Sequence, residues 1–367
     1  NKSARLIVRD DSVENGVVHT LDRVIVPQSF LLPDLLAEDS TISIFNEALR
    51  LTGLCDSLRQ YIDPTYSCGE DSVNQDMVIS TGGGLYTMRY VGTRMKRYTA
   101  FVETDEVYAA NGIYDLDGLK AHAKQVYDQM YPKDAGLYDD DWTNRKNPLN
   151  RFISYHLLPY YGAYNDWTVS GDIKNTCAKT DLIDCTDWYT TMLQGTIMKM
   201  STPSEGLFIN RKGVGVRYTV RGTKVLSPSE IGDVDQQALN GIYHYIDQIL
   251  DYNQETRDVV FNDRIRVMAA TLSPEFMNCG ARGNTERATG FKVVEGWDFH
   301  GKTPTMTLRK RDVWMVTYAD CIDMVGQFDV TFKLLPVPKE GTYEVRFGYG
   351  WGDMRGKVQV YFGTDPD

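Results

Sequence analysis

The chain has 367 residues, of which 42% are hydrophobic and 11% aromatic, a length that suggests two or three domains and a composition that excludes a disordered chain. Its formal net charge is −11 and its Lys and Arg residues form no run, so we expect neither a nucleic-acid partner nor docking on anionic lipid. No apolar stretch approaches the roughly 20 residues that span a bilayer, and the start at Asn1 indicates a processed N-terminus from which an export or anchoring signal could have been removed.

The first predicted strand belongs to a segment that occurs twice. Residues 15–25 and 240–250 share Asn, Gly, His and Asp at equal spacing, and most of the remaining positions are apolar in both copies. Each copy alternates as a strand does after an Asn-Gly turn. If this segment is the last strand of a repeated domain, residues 1–27 are the tail of one copy and residues 28–251 are a complete second copy.

The sequence of residues 28–251 predicts a mixture of helices and strands. Helical periodicity runs through residues 29–60, and a short strand, Tyr98–Val102, is followed by Thr104, which can cap the first amides of a helix. The other predicted elements are a helix whose apolar stripe runs from Leu116 to Met130, a short helix from Leu149 to Ile153 and a strand from Val214 to Val220.

Residues 255–367 differ from residues 28–251 in composition: runs rich in Val, Thr and Tyr are separated by Gly, Asp and Asn. The predicted strands are Met306–Leu308, Val313–Tyr318, Gln327–Leu335, Tyr343–Tyr349 and Lys357–Phe362. Their spacing predicts an all-β sandwich or jelly roll as a separate C-terminal domain.

Four segments, in this order, resemble the fasciclin-like domain family. They are the paired opening helices, the strand and Thr-Asp-Glu helix start at Tyr98–Val107, the Tyr-His-Leu-Leu-Pro motif at 155–159, and the closing Asn-Gly-x-x-His-x-x-Asp strand. The resemblance covers 28–251 and the N-terminal tail, and it implies a compact β-wedge sandwich with helices and a role in cell adhesion or matrix interaction instead of catalysis. Extra sequence lies near 64–97, 132–147 and 160–205. The binding properties of the fasciclin-like family therefore need not apply to this chain.

A second resemblance concerns the C-terminal end. Residues 341–347 and 356–362 look like the last hairpin of a galactose-binding-like module. This resemblance rests on a generic strand pattern and implies carbohydrate binding as one option.

The Tyr-His motif supplies the first candidate site. The resemblance points to Tyr155 and His156 as an adhesion motif, because in the fasciclin-like family this pair is tied to receptor contacts. The residues themselves favour a different role: Ile153, Leu157 and Leu158 flank the pair, which predicts at least half-buried side chains and a structural, hydrogen-bonded His156. A surface-binding role for Tyr155 stays open.

The remaining histidines and acidic residues offer no catalytic or metal-binding set. His19 and His244 lie on the apolar faces of the two repeated strands, where we expect core histidines satisfied by the backbone. The acidic run Asp139–Asp141 lacks the alternating ligand spacing of a calcium loop, so we expect a solvated loop. Gly82–Gly84 is not followed by Lys and Ser or Thr, and no Gly-x-Ser-x-Gly elbow occurs. We expect no metal, no cofactor and no enzyme activity.

Aromatic residues of the C-terminal region are candidate platforms for a glycan, because the C–H faces of sugars pack on flat rings. The candidates are Trp297, Trp314, Tyr349 and Trp351. Trp297 and Trp314 are expected mainly in a core. Tyr349 and Trp351 lie in a Gly-rich hairpin loop, where burial is harder, so an exposed platform is an equal alternative there.

The six cysteines form no C-x-x-C pair, which leaves zinc ribbons and thioredoxin-type motifs without support. The pairs that are close in sequence or share a region are Cys55 and Cys68, Cys177 and Cys185, and Cys279 and Cys321. This spacing suits local disulfides in an oxidising compartment, and six buried thiols are an equal alternative.

The sequence therefore predicts an α+β chain in which a fasciclin-like β-wedge sandwich with helices precedes an all-β domain. The expected function is non-catalytic adhesion or binding, with a cell-surface protein, a matrix protein or a glycan as the partner. The expected location is outside the cell or on an outer-membrane surface, with lipid anchoring as an option. The alternative function is a glycan-binding surface protein of a bacterial polysaccharide uptake system; a hydrolase comes third.

Overall fold

The chain is mixed α+β, as predicted. The computed structural model describes residues 6–24, 29–67, 77–81, 84–167, 185–214, 216–232, 236–265, 267–280, 288–302, 305–310, 320–347 and 356–363. Its helices are α1 (Leu32–Ala37), α2 (Ser43–Leu51), α3 (Leu54–Leu58), α4 (Asp105–Ala110), α5 (Leu116–Met130), α6 (Pro148–Tyr155), α7 (Pro228–Ile231) and α8 (Pro274–Asn278). In the ranges that the structure describes, no helix combines the length and apolar character needed to cross a membrane.

The strands form several separate sheets. In chain order they are β1 (Leu6–Val13), β2 (Gly16–Leu21), β3 (Met77–Thr81), β4 (Gly84–Tyr90), β5 (Tyr98–Glu103), β6 (Leu157–Leu158), β7 (Cys185–Thr190), β8 (Ile197–Thr202), β9 (Phe208–Ile209), β10 (Lys212–Val214), β11 (Arg217–Val220), β12 (Thr223–Lys224), β13 (Gln236–Gln237), β14 (Gly241–Ile246), β15 (Ala288–Phe291), β16 (Thr305–Lys310) and β17 (Asp320–Val325). The sheet orders are β1-β2, β10-β11, β12-β9-β8-β7, β13-β14-β5-β6 and β17-β16-β15-β4-β3.

The sheet β13-β14-β5-β6 contributes the central strands of the larger hydrophobic core. β5 is buried along its whole length, and β14 runs parallel to it from Gly241 opposite Tyr98 to Ile246 opposite Glu103. β6 pairs antiparallel with the other edge of β5. A central strand with parallel pairing is typically buried on both faces, which accounts for the mainly apolar residues of Tyr98–Val102.

Helices pack beside this sheet and begin where the sequence predicts. α1 contacts β14, α4 contacts β5 and α6 contacts β6. The cap predicted at Thr104 is confirmed, since its hydroxyl accepts a hydrogen bond from the Val107 amide at 3.3 Å. The helical periodicity of residues 29–60 corresponds to α1, α2 and α3, and Gly53, with φ of 68°, separates α2 from α3 in the left-handed conformation that glycine favours.

The single strand predicted from Val214 to Val220 is wrong. The structure has two short strands there, β10 and β11, which pair antiparallel as a hairpin. Gly213 lies so close to β11 that an added Cβ would be 2.3 Å from the Arg217 carbonyl oxygen. The alternation of apolar residues continues through the turn, so periodicity alone could not show where the chain reverses.

A second, smaller core lies beside the five-stranded sheet. Its buried residues are Ala270, Phe276, Phe291, Val294, Met306 and Leu308. β15 pairs in parallel with β4, with Ala288 opposite Met88, and antiparallel with β16. β3 and β4 come from the extra sequence near 64–97, so this sheet takes strands from both sides of the predicted boundary at residues 251–255.

The C-terminal strand pattern is confirmed in part. Met306–Leu308 lies within β16. The strand predicted at Gln327–Leu335 is wrong, because these residues contribute only an isolated bridge between Thr331 and Asp298. Val313–Tyr318 lies outside the described residues.

The last two predicted strands are also not found where the structure describes them. Residues 343–347 and 357–362 belong to no strand, and every one of these side chains is exposed. The alternation that predicted these strands is therefore not matched by a buried face. The remainder of Tyr343–Tyr349 lies outside the described residues, and the sandwich or jelly roll stays a prediction.

Both copies of the repeated segment form a strand directly after Asn-Gly, but their surroundings differ. In β14 the His244 side chain is buried and its Nε2 lies 2.9 Å from the Gly162 carbonyl oxygen. In β2 the His19 side chain is 47% exposed, and its Nδ1 accepts a hydrogen bond from the Asp10 amide at 3.2 Å. The prediction of a core histidine is thus confirmed for His244 and wrong for His19, because the β1-β2 hairpin leaves that face exposed.

The cysteines are described in part. Cys55 is a free, half-buried thiol whose pKa is raised by burial. The Cys279 thiol donates to the Phe276 carbonyl oxygen at 3.3 Å, and the Cys321 sulfur lies 3.9 Å from Asp323 Oδ2. Cys68 and Cys177 lie outside the described residues, so the disulfides that would include them stay predictions.

Asn240 provides a test of how the repeat is used in the fold. Its buried side chain accepts from the Leu32 amide at 2.8 Å and donates to the Leu58 carbonyl oxygen at 2.7 Å. Asn240→Ala leaves both backbone groups without this partner and should lower the free energy of unfolding by about 3 kcal/mol, measured by urea denaturation. The matched control is Asn15→Ala at the same position of the exposed copy, where a change within about 0.5 kcal/mol is expected. An equal loss of unfolding free energy in the two variants would show that the Asn240 hydrogen bonds do not stabilise the fold.

Candidate functional site

Tyr155 and His156 lie where α6 ends and the chain enters β6. Both side chains have no exposed surface. The burial predicted from the flanking apolar residues is confirmed. In this conformation neither side chain can touch a partner molecule, so any contribution that they make to binding acts through the fold.

The His156 imidazole is held at both ring nitrogens. Nδ1 lies 2.8 Å from the Phe152 carbonyl oxygen, and Nε2 lies 2.8 Å from Glu103 Oε1. A carbonyl oxygen only accepts, so Nδ1 carries a proton. Glu103 also accepts from the Tyr108 hydroxyl at 3.0 Å and from the Leu250 amide at 2.9 Å. Since both Glu103 oxygens accept these hydrogen bonds, Nε2 donates the second proton to Oε1, and the two residues form a buried imidazolium–carboxylate pair.

The electrostatics of this pair agree with its geometry. Burial disfavours the charged imidazolium, but the charge of the Glu103 carboxylate and its hydrogen bond outweigh burial and raise the pKa of His156. The Phe152 ring packs against the imidazole, with 4.4 Å between ring centroids. With both nitrogens donating, His156 has no lone pair for a metal ion or a substrate proton. The pair is therefore a structural element of the core.

A second histidine–carboxylate pair lies on the solvent side of the first. His122 Nε2 is 3.0 and 3.1 Å from the two carboxylate oxygens of Asp251, and the side chains are 25% and 15% exposed. The hydrogen bond to Asp251 raises the pKa of His122. The His122 ring meets Phe152 edge-on at 6.0 Å, while the other histidine pair packs against the same phenylalanine. Phe152 thus separates a fully buried pair from a partly exposed one.

The Tyr155 hydroxyl connects α6 to the sheet that contains β8. It donates to the Ile197 carbonyl oxygen at 3.2 Å and accepts from Asn210 Nδ2 at 2.9 Å. Asn210 has φ of 54°, a left-handed conformation that asparagine tolerates better than most residues. Its Oδ1 accepts from the Lys199 amide at 3.2 Å. Tyr155 therefore holds together a helix, a strand and a turn.

Of the glycan-stacking candidates, the structure places Trp297. Its ring is half-buried and lies nearly parallel to Phe332, with 4.3 Å between centroids and an angle of 13°. Phe276 meets it edge-on at 5.5 Å. The expectation of a mainly core position agrees with this packing. Trp314, Tyr349 and Trp351 lie outside the described residues and stay predictions.

The acidic run at 139–141 is tied to neighbouring side chains. Asp139 accepts from the Lys124 ammonium at 2.6 Å, and Asp141 accepts from Asn144 Nδ2 at 3.1 Å. Within the described part of the chain, no group of three His, Cys, Asp or Glu residues is placed to hold a metal ion.

The partners of the two histidines are the residues that sequence analysis missed. Glu103 ends a strand that was predicted only as far as Val102, and Asp251 follows the repeated segment by one residue. His122 is a half-buried residue of α5 next to Ala123 of the predicted apolar stripe. A carboxylate that directly continues a buried apolar strand was the available signal for Glu103; the pairing itself joins residues far apart in sequence.

Comparisons with known proteins gave structural likenesses but no family. No family model matches the chain, and no curated protein matches it in sequence. Among solved structures, the FAS1 domain pair of the insect cell adhesion molecule Fasciclin I is 15% identical, with a TM-score of 0.31. The match covers 68% of this chain and 60% of that chain. A TM-score this low does not assign the fold, so the family stays a proposal.

The buried pair predicts a large effect from a small change. Glu103→Gln keeps the size of the side chain but leaves the His156 imidazolium buried without its counter-charge, which should lower the free energy of unfolding by about 3–5 kcal/mol in urea denaturation. Glu106→Gln is the matched control, because Glu106 is exposed in the first turn of α4. A change within about 0.5 kcal/mol is expected there. Equal stability of the two variants would refute a buried ion pair.

The partly exposed pair predicts a pH dependence. A histidine whose pKa is raised on folding stabilises the protein fully below its unfolded pKa of about 6.5, and this contribution is lost as pH rises through the folded pKa. The difference in free energy of unfolding between the unmodified chain and His122→Gln should therefore be larger at pH 6 than at pH 9. Asp251→Asn breaks the same pair and should show the same trend. A difference in unfolding free energy that is constant or grows with pH would contradict a stabilising His122–Asp251 pair.

Proposed function

We propose that the chain is a non-catalytic adhesion or binding protein of fasciclin-like type that acts at the cell surface or outside the cell. One observation supports the type: three motif segments far apart in sequence meet in one sheet. β5 lies between β14 and β6, and Glu103 at the end of β5 bonds His156 of the Tyr-His motif. Short motifs that occur in one sequence by chance would not be expected to lie next to one another in the folded chain.

The chemistry of the motif residues supports a binding role over catalysis. The His156 nitrogens are both engaged in the core, and Tyr155 is committed to a hydroxyl bridge between secondary-structure elements. The His122 and Asp251 side chains are paired with each other at the surface. General acid–base work needs a group that can reach a substrate proton, which the buried Tyr-His pair does not offer.

The proposed location follows from the proposed role. Adhesion takes place outside the cell, and a net charge of −11 fits the solvated surface of an exported protein. Lipid anchoring at an outer-membrane surface is part of this proposal.

The function is tested with the whole chain immobilised on a plate. Cultured cells and soluble collagen, fibronectin and laminin are the probes, and saturable binding of at least one is expected on the folded chain and not on the heat-unfolded chain. Glu103→Gln should lose binding in proportion to its unfolded fraction, whereas Glu106→Gln should bind as the unmodified chain does. Turnover of a polysaccharide in a reducing-sugar assay would contradict the proposal of a non-catalytic protein. Equal binding of the probes by the folded and the heat-unfolded chain would contradict the proposal of an adhesion domain.

A further inference from the structure

The N-terminal hairpin has two edges of opposite character. Both register shifts of the β1-β2 ladder insert the extra residue into β1, between Leu6 and Val8 and between Val8 and Asp11. Asp10, inside the second shift, has φ of 57°. β1 also carries the charged residues Arg9, Asp10 and Asp11. Bulges and charges are devices by which natural edge strands resist pairing, so the outer edge of β1 is protected.

The edge formed by β2 lacks these devices. Its six residues, Gly16–Leu21, include no Asp, Glu, Lys or Arg, and the ladder places no bulge in it. Among the described strands its ladder partner is β1 alone. Val17 and Val18 point to opposite faces and are 55% and 47% exposed. Within the described residues, this second edge is therefore regular, free of Asp, Glu, Lys and Arg, and not paired with a further strand.

A two-stranded ribbon with exposed apolar side chains is marginally stable by itself, and three or more strands are needed for independent stability. We infer that the β2 edge pairs with the β2 edge of a second copy of this chain, giving a four-stranded antiparallel sheet in the order β1-β2-β2-β1.

Charge and symmetry favour a second copy as the occupant. Two uncharged edges of equal length meet without the like-charge contacts that would arise if two β1 edges met. A two-fold axis perpendicular to the strands makes the pairing antiparallel and closes the assembly after two chains. With the axis at Val18, the two Val18 residues lie opposite each other, and Val17 of one copy lies opposite His19 of the other on the same face of the sheet.

The size of the contact sets the expected strength. Edge pairing over six residues buries less than the roughly 1,200–2,000 Å² that stable complexes bury, so a dissociation constant on the order of 10 μM is expected. The dimer should form in the concentration range of analytical ultracentrifugation.

The test compares two lysine substitutions in the whole chain. Val18→Lys places like charges on both sides of the two-fold axis and should shift the sedimenting species from dimer to monomer, weakening association at least tenfold. Val216→Lys is the control, because Val216 is also an exposed valine of a two-stranded hairpin, at 71% exposure; it should sediment as the unmodified chain does. Both variants should keep the far-ultraviolet circular dichroism and melting temperature of the unmodified chain.

Cysteine cross-linking identifies the partner strand and its direction. A mixture of Val17→Cys and His19→Cys chains should form a mixed disulfide dimer, and neither variant alone should form a disulfide dimer to a comparable extent. Efficient self-linking of Val17→Cys would indicate parallel pairing and overturn the proposal. A chain that is monomeric at all concentrations would also overturn it, as would a dimer that Val18→Lys leaves intact. Protection of the amides of 16–21 from hydrogen exchange in a monomer would assign the edge to a different occupant.

Discussion

The buried Glu103–His156 pair fixes the positions of the elements around it. Glu103 is the last residue of β5 and His156 follows the last residue of α6, while the Tyr108 hydroxyl of α4 and the Leu250 amide beyond β14 complete the carboxylate's hydrogen bonds. Two charges without solvent are tolerated only when all their hydrogen bonds are made. Because a shift of β5 by one residue would turn Glu103 to the opposite face, this requirement also specifies the register of the sheet.

A second buried ionic contact ties the C-terminal region to the central one. Arg94, just after β4, donates to Asp63 and to Glu275 of α8 at 3.0 Å each, and all three side chains are at least 88% buried. Asn278 of the same helix accepts from the Tyr161 amide at 2.9 Å. The residues that follow the Tyr-His motif are thus held by a helix from the predicted C-terminal domain. Together with the shared five-stranded sheet, these bonds join two regions that composition alone would separate.

Local rules explain which parts of this fold could be predicted. The strand β5, the helix α5 and the Thr104 cap follow from periodicity and capping within a few residues, and the structure contains them. The pairing of β4 with β15 could not be predicted, because it joins residues that are about 200 positions apart and no local pattern encodes the partner. For the same reason Glu103 was not predicted: its role depends on His156, which is 53 residues away in sequence, and no local pattern links the two.

The repeated segment shows that local sequence can determine a turn and a strand without determining whether the strand is buried. Asn-Gly gives a turn and a strand in both copies, as the spacing predicts. In the second copy, Asn240 reaches the Leu32 amide and the Leu58 carbonyl oxygen, and β5 covers the free edge of β14. In the first copy the same residue types form an exposed hairpin whose edge strand is uncharged. Similar local sequence thus produces a buried central strand when a core is available, and an edge suited to pairing when none of the described elements covers it.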